Sequence, residues 1–150
     1  MKRNVINVVL GLFVAMAFGL TGCGGGGDSN TPPAPLVAPT VDATGTWRGT
    51  YTSSVFGART ATLSLVQSNA ALTGNFSSTT GGLGSVSGSV SGNTATFTIA
   101  ITTPGCSGSY GGTGTINTSV IPATMAFTYN GAANAACGGS ESGTGNLTKQ

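Results

Sequence analysis

The side chains able to do covalent chemistry are few: three cysteines, Cys23, Cys106 and Cys137, and the hydroxyls of many serines and threonines. A thiolate or an activated hydroxyl needs a base or a neighbouring cation. The chain has no histidine, and its charged residues are five Lys or Arg against three Asp or Glu. Histidine-based triads, histidine-ligated metals and imidazole bases are therefore excluded. Asp28 and Asp42 fall before the folded part, so Glu141 alone cannot form the carboxylate pair of a glycosidase. Gly-rich runs such as Gly111-Gly112-Thr113-Gly114 open no helix, so they make no phosphate cradle. The residues point to a protein that is not an enzyme and that takes no metal or cofactor.

Cys23 has a distinctive context. Lys2 and Arg3 precede an apolar stretch of 13 residues, Val8 to Leu20, and Leu20-Thr21-Gly22-Cys23 follows at once. This is the order of a signal peptide, and the stretch is shorter than the roughly 20 apolar residues that span a bilayer. Leu20-Thr21-Gly22-Cys23 resembles the lipobox of bacterial lipoproteins. The resemblance implies removal of residues 1–22, a diacylglyceryl group on the Cys23 thiol and a third acyl chain on its new amine, which together anchor stably. Gly24 in place of an Asp after that Cys implies the outer membrane in a proteobacterial cell. The expected partners are thus the membrane, through the lipid, and an unidentified small apolar ligand, glycan or protein.

Loss of Lys2 and Arg3 with the signal leaves three cations against three anions. With no net charge and no basic cluster, nothing suits the chain to nucleic acid. Residues 23–43 then read as a tether: Gly24 to Gly27 is flexible, and Thr31-Pro32-Pro33-Ala34-Pro35, with Pro39 beyond, favours extended polyproline backbone. Exported proteins meet an oxidising compartment, and with Cys23 assigned to lipid, Cys106 and Cys137 are expected to form a disulfide. They lack the C-x-x-C spacing of a redox pair.

From about Thr44 to Gln150 the pattern has a period of two. One parity is apolar or glycine and the other is almost wholly Ser, Thr or Asn, as in Trp47-Gly49-Tyr51, Ala61-Leu63-Leu65, Leu72-Gly74-Phe76 and Val86-Gly88-Val90. The same alternation recurs in Ala95-Phe97-Ile99-Ile101, Tyr110-Gly112-Gly114-Ile116, Met125-Phe127-Tyr129 and Gly143-Gly145-Leu147. Eight strands, each with one buried and one wet face, predict an all-β domain of antiparallel sheet over 44–150. Ser68-Asn69-Ala70, Gly92-Asn93 and Asn130-Gly131 supply turn chemistry between them.

Two architectures accommodate eight such strands: an up-and-down barrel and a two-sheet sandwich. Open sheets protect their edges with Lys, Pro or inward charges, and this domain has almost none to place there. Closure removes the edges, which favours the barrel. Glycines on the inward parity agree, because they permit sharply coiled strands and leave room for aromatic neighbours. In a meander of eight strands, Cys106 and Cys137 fall in connections that emerge at the same end.

At Gly45-Thr46-Trp47 the chain resembles the opening strand of the calycins, the barrel group of lipocalins and avidins, and Leu72-Thr73-Gly74-Asn75-Phe76 is similar to the L-T-G-x-Y stretch of a later avidin strand. The resemblance implies a barrel with a ligand cavity at its open end and Trp47 packed at the closed end. Lipocalins place an Arg over that tryptophan, and here the last strand offers Lys149; avidins cage biotin with several tryptophans, and Trp47 is the only one. Trp47, Tyr51, Phe76, Phe97, Tyr110, Phe127 and Tyr129 are accordingly expected in the barrel interior, either as packed core or as ligand lining.

Overall fold

The structure, a computed structural model, describes residues 37–150. The expected signal peptide over residues 1–22, the expected lipidation at Cys23 and the expected tether up to residue 36 lie outside the described residues.

The alternating pattern becomes eight strands: β1 (Gly45–Ser53), β2 (Gly57–Ser68), β3 (Ala71–Ser78), β4 (Leu83–Ser91), β5 (Thr94–Ile101), β6 (Gly108–Asn117), β7 (Thr124–Ala133) and β8 (Ser140–Lys149). Each pairs antiparallel with its sequence neighbour. β1 also pairs with β8, Trp47 opposite Lys149 and Ser53 opposite Gly143, so the sheet closes into an up-and-down barrel. No strand edge is left for another chain to add to. Of the two architectures that the sequence permits, the barrel is the one formed.

The parity read from the sequence holds around the ring. Leu63, Leu65, Leu72, Val86, Val90 and Ile116 are buried, while Thr73, Ser87, Thr96 and Thr113 on the other parity are exposed. One expected turn is absent. Asn130-Gly131 lies inside β7, which continues to Ala133, with Gly131 opposite Tyr110 on one side and Glu141 on the other. Its glycine serves a close approach of two strands instead of a turn: a Cβ there would run into the Ser109 carbonyl oxygen and Tyr110 Cα, and stand 2.8 Å from Tyr110 Cδ1.

The two ends of the barrel differ. At one end emerge the β2–β3, β4–β5 and β6–β7 connections, and the chain enters there. Residues 37–43, the end of the stretch that reads as tether, lie against this end. Thr40 N–H donates to the Gly92 carbonyl at 2.9 Å and Gly92 N–H to Ala38 at 3.2 Å, around an isolated parallel bridge between Pro39 and Gly92. Gln67 holds the next turn, its amide donating to the Val41 carbonyl and accepting from Ala43 N–H. Asp42 accepts from Thr44 N–H, and hydrogen bonding by Thr44 holds its carboxyl below the usual range.

This strap seats Trp47. The ring is wholly buried, its Nε1 donates to the Ala43 carbonyl at 2.8 Å, and Lys149 Nζ stands 5.7 Å from the ring centroid while donating to the Asp42 carbonyl. A cation over a buried indole is stabilising by cation–π attraction. The last strand thus places Lys149 over the tryptophan.

The β1–β2, β3–β4, β5–β6 and β7–β8 connections emerge at the opposite end. The last of them contains a single 3-10 turn, Ala135–Cys137. Cys106 and Cys137 form a disulfide between the β5–β6 and β7–β8 connections, with Cα atoms 5.7 Å apart. Asn134 reinforces that link through its N–H to the Ser107 carbonyl and its amide to Gly105.

Candidate ligand-binding site

The far half of the barrel is built from aromatic residues placed against glycine. Phe97 on β5 lies between Gly88 and Gly112, Phe127 on β7 between Gly114 and Gly145, and Tyr129 between Gly112 and Gly143. Tyr51, Tyr110 and Phe76 each face one glycine across the ladder: Gly145, Gly131 and Gly84. A ring lies flat along the wall only where its neighbour has no side chain. At Gly145 a Cβ would stand 2.5 Å from Phe127 Cε1, and at Gly112 it would stand 2.6 Å from Phe97 Cζ. Trp47, by contrast, has Leu63 and Lys149 as cross-strand partners and is packed on every side.

The rings meet edge to face. Tyr51 and Phe76 have centroids 6.5 Å apart at 70°, Phe97 and Phe127 6.1 Å at 70°, and Tyr110 and Tyr129 6.0 Å at 86°. These are the favoured arrangements of aromatic quadrupoles, and they make a stiff wall of residues with few rotatable bonds. Stiff rings beside glycines do not collapse inward. The space they leave is a cavity of about 490 Å³, open at the disulfide end, with Leu63 and Leu147 toward its floor. That volume lies within the range of small-molecule sites.

Six of the seven aromatic residues singled out in the sequence line this cavity: Tyr51, Phe76, Phe97, Tyr110, Phe127 and Tyr129. The seventh, Trp47, is interior but belongs to the closed end. Cys106 and Cys137 stand at the mouth. A barrel filled along its whole length, the other expectation for these residues, describes only the half around Trp47.

Sequence reading missed the polar rim. Arg59 on β2 and Glu141 on β8 both line the cavity. The signal was there, since stepping back by two from Ala61 and from Gly143 keeps the inward parity and reaches Arg59 and Glu141. Tyr129 donates its phenol to Glu141 Oε1 at 2.6 Å, and Tyr51 donates to Ser78 Oγ at 3.3 Å. Burial, then the Glu141 carboxylate, pushes both the Tyr129 and the Tyr110 phenols above the ordinary tyrosine range, so both stay neutral at physiological pH. Ser53 shapes the β1–β2 connection by accepting from Val55 and Phe56 N–H, which sets Phe56 beneath the Arg59 guanidinium at 4.6 Å.

Chemically the lining is apolar with a polar rim. Its one carboxylate is engaged by Tyr129, and its two cysteines are paired with each other, so it offers neither a set of metal ligands nor an activated nucleophile. What it can do is enclose an apolar body and contact a polar head. No family model, curated protein or solved structure matches the chain.

Proposed function

We propose that the protein is a non-catalytic binding module, held at the outer membrane by acyl chains on Cys23, that takes a small apolar molecule into the open end of its barrel. The cavity carries this reading: a stiff aromatic enclosure of about 490 Å³ with one open end. Burying apolar ligand surface there contributes about 25 cal/mol per Å² before the cost of immobilisation. The lipobox-like Leu20-Thr21-Gly22-Cys23 supports the anchor. The described chain begins at the closed end, opposite the cavity mouth.

The test is native mass spectrometry of the mature chain, residues 23–150, exported with Cys23→Ser so that no acyl chain is added. A reproducible bound mass that is lost on denaturation is the expected result. Bare protein, together with no uptake of apolar probes, would direct attention to the Ser- and Thr-covered outer face and a structural role in the envelope. For the anchor, labelled palmitate should enter the wild-type chain and not Cys23→Ala.

A further inference from the structure

The rim of the cavity says more about the ligand than its wall does. Arg59 Nε is buried and has no hydrogen-bond partner, the one side-chain polar atom in that condition among the described residues. A desolvated donor left unmet is costly, and more so on a cation. The side chain is nonetheless held in place: it has inward parity, lines the cavity, and stacks on Phe56, which itself rests against Gly138 of the β7–β8 connection. Glu141 on the far side of β1 does not form an ion pair with it, and one oxygen of that carboxylate already accepts from Tyr129. The mouth thus holds a cation that, among the described residues, has no ion-pair partner and no hydrogen bond from its Nη groups, above an apolar enclosure.

Resting on the proposal that the cavity takes an apolar molecule, we infer that this molecule is an amphiphile whose single carboxylate sits at the mouth on Arg59. Nε of Arg59 is closed to the cavity, and the two Nη groups of a guanidinium present a planar fork that fits the two oxygens of a carboxylate. A singly charged head balances Arg59, whereas the second charge of a phosphate monoester would meet Glu141. An ammonium head would face Glu141 but stand beside the unpaired Arg59 cation.

Calorimetric titration of the mature chain, residues 23–150 carrying Cys23→Ser, with body-matched probes tests this. The probes are decanoate, decanol and decylamine, with naphthoate against naphthalenemethanol for a flat body. Each carboxylate is expected to bind roughly 10- to 100-fold more tightly than its alcohol, as a charge-assisted hydrogen bond pair contributes. Arg59→Met should remove that preference while leaving alcohol binding in place, and Glu141→Gln should keep it. Equal binding of carboxylate and alcohol, or a preference unmoved by Arg59→Met, overturns the head-group assignment and leaves the apolar cavity standing. Tighter binding of decylamine overturns it in favour of Glu141. Loss of alcohol as well as carboxylate binding in Arg59→Met would make Arg59 a structural residue and overturn it too. No binding by any probe, with no co-purified mass, removes the cavity proposal itself.

Discussion

Around the closed end, Trp47, Val90, Ile116, Met125 and Leu147 are each no more than 1% exposed, and a strap of chain from Val37 to Ala43 lies across them. At the open end Tyr51, Phe76, Phe127 and Tyr129 are only partly buried although they face inward just as Trp47 does. Both halves belong to one ring of eight strands, so strand number and closure do not explain the difference. What differs is the kind of side chain that faces inward. In the closed half, apart from Trp47, it is aliphatic or Met: Ile116 meets Met125, and Leu72 and Leu147 face Gly88 and Gly49, so bendable chains fill the tube. In the open half it is an aromatic ring with a glycine on at least one side, which lies along the wall and leaves the axis empty. A barrel of fixed size becomes core or cavity according to whether the side chains beside its glycines can bend to the axis.

The comparison predicts where substitution hurts. Trp47→Ala should cost the most, about 3–5 kcal/mol in urea unfolding, because it empties the packed half and leaves the Ala43 carbonyl without its buried donor. An equal loss from Phe76→Ala in the open half would break the contrast, since that ring already has one side on empty space. Removing the disulfide with Cys106→Ser and Cys137→Ser should cost about 3–4 kcal/mol, as expected for a link spanning 31 residues. That loss should come with faster hydrogen exchange in the β5–β6 and β7–β8 connections and little change around Trp47.

Gly145→Ala should destabilise by about 1–3 kcal/mol and reduce uptake of apolar probes, because the new Cβ displaces the Phe127 ring into the cavity. Unchanged stability and binding would remove the role assigned to the glycines. The smallest effect belongs to Tyr129→Phe, about 1 kcal/mol for the hydrogen bond to Glu141 at neutral pH. Its clearer signature is in alkali. Tyr129 titrates above its unfolded value of about 10, so the unfolded chain releases its proton first and stability falls as pH rises past that value. Tyr129→Phe should flatten that alkaline decline, measured by unfolding at stepped pH.

Much of the fold could be read from residue order. Eight runs of alternating apolar and hydroxyl residues gave eight strands with the right faces inward, because a strand places every second side chain on the same side whatever it pairs with. The near absence of protective charges pointed to closure, and the Cys106–Cys137 link followed from two cysteines left over in an exported chain, which the up-and-down order permits. Misreadings arose where one local signal serves two purposes. Asn130-Gly131 has turn chemistry, yet it continues β7, where Gly131 lets the strand approach the backbone of Ser109 and Tyr110 closely. Val37 to Ala43 has the proline-marked extended composition of a tether, and an extended segment looks the same in sequence whether solvent or Gln67 and Gly92 satisfies its backbone.

Sequence alone determined the strands, their buried faces, the identity of the interior aromatic residues and the scarcity of charge. It did so because side-chain alternation is a property of a single strand. The tertiary structure decided what the interior became. Which residue stands across from which depends on register between strands, and register placed glycines beside six rings while placing Leu63 and Lys149 beside Trp47. It also put Arg59 and Glu141 on the rim of one opening and Lys149 over the tryptophan at the other end. Three of the barrel's charges therefore mark the two ends of its interior.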